Sequence, residues 1–119
     1  MFVMHIGVVK AETGQIAINR VENAIDCSDR LDDYSWYHIP VAISEDNDVY
    51  MNPDDQDWLI PKNLEELNIK VKDVIREDNF NFWEQEMIRD VHDGEGVTHL
   101  KAYDNSNGKK WAVILYMHV

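Results

Sequence analysis

Two segments, near the two ends of the sequence, constrain the fold most. Phe2 to Lys10 alternates, with Phe2, Met4, Ile6 and Val8 on one face of a strand and Val3, His5, Gly7 and Val9 on the other. Trp111 to Met117 is an unbroken apolar run. Period-two patterning that is apolar on both faces marks a strand inside a sheet rather than at its edge. Both segments are therefore expected to be central strands. The second run is far too short for a bilayer span, which takes about 20 residues. The first lacks a preceding basic residue and alternates, so it reads as a strand and not as a signal peptide.

Between them the punctuation is less even. Glu12-Thr13-Gly14 signals a turn, and Gln15 to Arg20 reads as a returning hairpin partner. In residues 21–33, Val21, Ala24, Ile25 and Leu31 have helical spacing, but the density of Asp and Ser favours a loop. Trp36 to Ile43 reads as a strand in which Pro40, lacking an amide donor, points to an edge or a bulge. A turn at Glu45-Asp46-Asn47, a short strand over Asp48 to Met51 and a turn at Pro53-Asp54-Asp55 follow.

Asn63 stands three residues before Glu66, close to a capping box, and Leu64, Leu67, Val71, Val74 and Ile75 then predict a helix from Leu64 to about Glu77. Asn81 with Glu84, followed by Trp83, Met87, Ile88 and Val91, predicts a second helix over about 81–92, ended by Gly94 and Gly96. Val97 to Tyr103 and Lys109 to Val119 are the last strands, with Asn107-Gly108 the sharpest part of the turn between them. The whole predicts one α+β domain over residues 1–119, with a mainly antiparallel sheet of about five to six strands and two helices, about 64–77 and 81–92, packed on one face.

Charge is distributed unevenly. The chain carries a net −12, and residues 22–57 hold eleven acids against one base, Arg30, for a net −10. The remaining residues hold twelve acids and ten bases. Such asymmetry bears on association and solubility rather than on fold. It disfavours direct nucleic-acid binding, because phosphate contacts need Lys and Arg. A single cysteine, Cys27, excludes an internal disulfide and makes the cytoplasm the default location.

Catalytic patterns are weak. A calcium loop counted from Asp46 offers Asp46, Asp48 and Asn52 at its first, third and seventh positions, but has Met51 where glycine is needed and Asp57 where a bidentate Glu is needed. The five histidines form no HExxH or Cys-pair spacing. On parity alone, pairing of the first and last strands allows His5 and His118 to approach, and His92, Asp93 and Glu95 sit together at an expected helix end. Cys27 sits between Asp26 and Ser28 among acids, an environment that opposes thiolate. No phosphate-binding glycine loop and no GxSxG elbow occur. No cofactor or metal is expected.

The acidic third also contains Tyr34, Trp36, Tyr37, Tyr50 and Trp58. Aromatics beside acids suit an interface with a basic partner, and an acidic strip can imitate the field of DNA, which carries a charge about every 1.7 Å. The expectation is a small binding protein and not an enzyme: an immunity protein neutralising a basic nuclease toxin. Asp46, Asp48, Asp54, Asp55 and Asp57 would meet Arg and Lys, Asp29, Asp32 and Asp33 would extend the field, and Tyr34 and Tyr50 would pack into the partner. A phage-type nucleic-acid-mimicking antagonist of a defence nuclease fits the charge equally. A small metal- or histidine-dependent enzyme using His92, Asp93 and Glu95 is the rival from another class. No membrane partner is expected, and the oligomeric state is left open.

Overall fold

The computed structural model describes residues 2–26, 36–53, 60–77, 80–84, 89–93, 96–102 and 107–118. In chain order they form β1 (Phe2–Ala11), α1 (Gly14–Asp26), β2 (Trp36–Ser44), β3 (Val49–Met51), α2 (Leu64–Val74), a single 3-10 turn (Phe82–Glu84), β4 (Arg89–Asp93), β5 (Gly96–Ala102) and β6 (Lys109–His118). The class is α+β. Strands β3, β2, β6 and β1 lie side by side, in that order, as an antiparallel block. β5 extends the block parallel to β1, and β4 pairs antiparallel with β5 at the far edge.

The two doubly apolar segments take central places. β1 pairs with β6 through ten register positions, from Phe2↔His118 to Ala11↔Lys109, and with β5 on its other side. β6 in turn lies between β1 and β2. β5 and β6 are consecutive in sequence but do not pair, because β1 lies between them. The Asn107-Gly108 turn therefore serves a crossover and not a hairpin.

Apolar residues on both faces need cover on both faces. Val9, Ala11, Trp111, Val113, Leu115 and Met117 pack with Ala17, Ile18, Val21 and Ile25 of α1. Met4, Ile6, Val8, Ala112 and Ile114 pack in a separate cluster with Leu67, Val71 and Val74 of α2. The helices thus cover opposite faces of the sheet, which corrects the expectation that both helices lie on one face. The physical reason is the pleat: alternate side chains leave the sheet in opposite directions. Pro40 marks a switch within this pattern. The β2–β6 register shifts between His38 and Val41, so Ile39 joins the α1 cluster and Val41, two residues on, joins the α2 cluster. A bulge of this kind inverts the alternation along a strand.

Two further expectations are corrected. Gln15 to Arg20, read as a hairpin strand, belongs to α1, as does the first part of the segment read as loop. Thr13 caps this helix: its Oγ1 accepts from the Ile16 N–H at 3.2 Å and its carbonyl from the Ala17 N–H at 3.0 Å. β1 already has a partner on each side, leaving no edge for a returning strand. The second correction concerns the helix expected over 81–92. Its start signal is used, since Asn81 Oδ1 accepts from the Trp83 N–H at 3.0 Å and the Asn81 carbonyl from the Glu84 N–H at 3.1 Å. Yet it supports one 3-10 turn, and Arg89–Asp93 is strand β4. Asp93 pairs with Gly96, so Gly96 opens a strand and does not terminate a helix, while Gly94 lies outside the described residues.

α2 forms as expected from its cap, with Asn63 Oδ1 accepting from the Glu66 N–H at 2.9 Å, but ends at Val74. Ile75, at φ −103° and ψ 62°, leaves the helical region while its N–H still bonds to the Val71 carbonyl. Each fully buried side chain of this stripe contributes roughly 1.5–3 kcal/mol. Among the described residues, no helix is long and apolar enough to cross a membrane.

Two glycines fit tight contacts. A Cβ at Gly14 would overlap the Tyr50 Cβ, and one at Gly108, where φ is +111°, would meet the Ala11 backbone. Gly14→Ala and Gly108→Ala are each expected to lower stability by about 1–3 kcal/mol, Gly108→Ala through both strain and overlap. Urea unfolding checks this, and midpoints equal to the parent would contradict the packing.

Candidate functional site

The described part of the acidic third is organised by one buried hydroxyl. Ser44 ends β2 fully buried, and its Oγ accepts from the Asp46 N–H at 3.1 Å and the Asp48 N–H at 2.9 Å. Its backbone closes the same turn, with the Asn47 N–H on the Ser44 carbonyl at 3.0 Å and the Ser44 N–H on the Asp48 carbonyl at 2.8 Å. Asn47 takes φ 65°, the left-handed conformation that Asn tolerates better than most residues. Its Oδ1 accepts from the Leu64 N–H at 2.8 Å, tying the turn to the start of α2. Glu45, Asp46 and Asp48 are consequently exposed on a backbone with a set shape.

That turn is not without bases in three dimensions. Lys109 of β6 forms an ion pair with Asp48, and its Nζ lies 5.2 Å from the centre of the Trp111 ring. The Glu45 N–H donates to the Lys110 carbonyl at 3.0 Å, and the Lys110 N–H donates to Glu45 Oε1 at 3.3 Å. Lys110 Nζ reaches the Trp83 carbonyl at 3.3 Å. Asp46 is the carboxylate of this turn with no partner among the described residues. Lys109 and Ser44 were not singled out by the sequence reading. Ser ahead of Asp and Asn carries a turn signal that could have drawn attention to Ser44. Lys109 lies 61 positions from Asp48, and nothing local announces it.

Tyr50 is half-buried and packs against the α1 cluster, as does Tyr37. Its ring is therefore in part a core element. Asp29, Asp32, Asp33, Tyr34, Asp54, Asp55, Asp57 and Trp58 lie outside the described residues, as does Cys27. Asn52, a candidate calcium ligand, directs its side-chain amide to the Ile39 carbonyl at 2.9 Å and its N–H to the Pro40 carbonyl at 2.8 Å.

The histidines are spread over the sheet. His5 is fully buried and stands in register with Leu115 and His99, while His118 stands in register with Phe2 and Trp36. β1 and β6 do pair, but in a register that does not set His5 against His118. His92 and Asp93 lie on β4 instead of at a helix end, and Glu95 lies outside the described residues. Among the described residues, no group of three or more His, Cys, Asp or Glu side chains is placed to hold a metal ion.

An open depression of about 460 Å³ lies where α2 meets β6, with Ile60, Pro61, Ile69 and Tyr116 among its lining and Lys62, Glu66, Lys70 and Asp73 around them. Burial pushes the Tyr116 phenol above its usual 10.0, because the phenolate would lose solvation. The unfolded chain then ionises first as pH rises, so this contribution to stability is full below pH 10 and is lost as pH climbs towards the folded-state value. Tyr116→Phe is expected to flatten the loss of stability above pH 10, read from urea unfolding across the alkaline range. An unchanged slope would contradict it. A double-mutant cycle of Asp48→Asn and Lys109→Met is expected to give a coupling of about 0.2–1 kcal/mol, the size found for partly exposed pairs.

Comparison with protein families, with curated proteins and with solved structures finds no match to this chain.

Proposed function

We propose that this protein is a small acidic inhibitor that binds a basic protein, and that the partner is a nuclease toxin for which it acts as the immunity protein. The observation that carries this reading is the concentration of eleven acids against one base in residues 22–57. A local excess of one sign steers an oppositely charged partner to one surface and accelerates encounter.

The described acids differ in how available they are to such a partner. Asp46 is exposed on a turn held by Ser44 and Asn47, so it meets a partner's Arg or Lys with little ordering cost. Asp48 is shared with Lys109, so a partner cation must compete for it. Asp54, Asp55 and Asp57 continue the acidic segment, and Asp29, Asp32 and Asp33 lie before β2 in the same third of the chain. Tyr34 and the exposed part of Tyr50 supply aromatic contact beside them.

The test pairs the protein with the product of the neighbouring gene, in stopped-flow association and a nucleic-acid cleavage assay. Inhibition of cleavage is expected, with association that slows as salt rises. Asp46→Asn, Asp48→Asn and Asp54→Asn combined are expected to slow association by about tenfold at low salt, with a smaller effect on dissociation. Lys109→Met, which frees Asp48, is expected to speed it. Association indifferent to salt and to the triple variant would remove the charge-based reading. A partner that is a defence nuclease instead of a toxin would redirect it to a phage-type antagonist.

A further inference from the structure

The two edges of the sheet differ. β3 is three residues long, and Asn52 immediately after it is bonded back to β2. β4 is five residues long and runs in unbroken register with β5 from Arg89↔Leu100 to Asp93↔Gly96. Edge strands are commonly protected by shortness, by charged side chains, by Pro or by a bulge. β4, with the sequence Arg-Asp-Val-His-Asp, has no Pro and no register shift, and its charged positions, Arg89, Asp90 and Asp93, are of both signs, so only a strand that answers them pairs there. Among the described residues, no strand pairs with its outer side.

We infer that β4 is a homodimerisation edge, which pairs antiparallel with β4 of a second copy about a two-fold axis through Val91. Charge complementarity selects this partner and this register. With the axis at Val91, Arg89 of each copy stands opposite Asp93 of the other, and Asp90 stands opposite His92. All five positions of the strand are paired and no like charges meet. A shift that moves the axis to residue 90 sets Asp90 against Asp90, and one that moves it to residue 92 sets His92 against His92. Parallel pairing in register sets Arg89 against Arg89 and each Asp against itself. Opposite charges directly across a strand pair are favourable and like charges unfavourable.

The backbone has the matching parity. Asp93 and Gly96 are register partners with two residues between them, and such a connection closes on a hydrogen-bonded pair. The amide groups of residues 89, 91 and 93 are then spent on β5, while those of 90 and 92 face outward. An axis at Val91 brings residue 90 of one copy to residue 92 of the other, so the outward groups meet. The same operation joins two sheets into one continuous sheet with isologous contacts, a closed two-fold arrangement.

The test is sedimentation equilibrium of the purified full-length chain and of two charge reversals, Arg89→Asp and Asp93→Arg. The parent is expected at twice the 14.0 kDa chain mass at raised concentration. Each single variant sets like charges opposite one another at two places in the seam, and is expected to weaken dimerisation by about tenfold or more. Mixed in equal amounts, the two variants regain opposite charges at both places and are expected to dimerise with parent-like affinity. A parent that stays at 14.0 kDa at every concentration, single variants that dimerise like the parent, or a mixture that stays monomeric would each overturn the inference. If a variant loses its circular-dichroism signature, amide exchange of the parent decides instead. Protection of Asp90 and His92 amides that falls on dilution is expected, and exchange independent of concentration overturns the inference.

Discussion

Burial of β6 on both faces and along both edges is the constraint on which the rest of the structure depends. Ala112, Val113, Ile114 and Leu115 are fully buried in succession, so the strand requires a hydrogen-bonded neighbour at each edge and an apolar layer on each side. β1 and β2 supply the edges, and α1 and α2 supply the layers. The chain meets this demand with crossovers. β1 and β2 both run antiparallel to β6, so the α1 connection between them passes over one face while β6 lies between its two strands. α1 covers that face, and α2 covers the other.

The same strand ties the core to the surface chemistry. Its first residues, Lys109 and Lys110, are brought to the acidic turn because Ser44 is in register with Trp111. Core register therefore decides how much of the turn's charge is met inside the molecule. Asp48 is paired and Asp46 has no partner among the described residues, although the two stand two residues apart in sequence. Asn47 adds a second tie through α2, so the turn's shape is inherited from the strand before it and the helix after it.

Where the sequence was misleading, a local signal competed with a long-range one. Ile18, Val21 and Ile25 line a helix that two local signals hide: the turn signal at Glu12-Thr13-Gly14 makes Gln15 to Arg20 read as a hairpin strand, and the Asp and Ser of residues 21–33 favour a loop by bonding to their own backbone. Asn81 with Glu84 is a true cap, but a cap only starts a helix, and Val91 followed the strand period in pairing with Thr98. Of the expected interface residues, Asp46, Asp48 and Tyr50 lie in described structure, with Asp46 on the exposed turn, Asp48 on Lys109 and Tyr50 half in the core. Nothing local distinguished these three environments.

The sequence by itself determined that the segments near its ends are central strands, that Asn63 opens a helix and that Pro40 marks an irregularity within a strand. Each follows from side-chain periodicity or backbone chemistry within a few residues. The tertiary structure alone decided that the helices take opposite faces, that β1 lies between β5 and β6, and that Lys109 answers Asp48. These depend on which strands share an edge, and that choice is made by burying the whole apolar surface at once, a sum over distant residues that no local window contains.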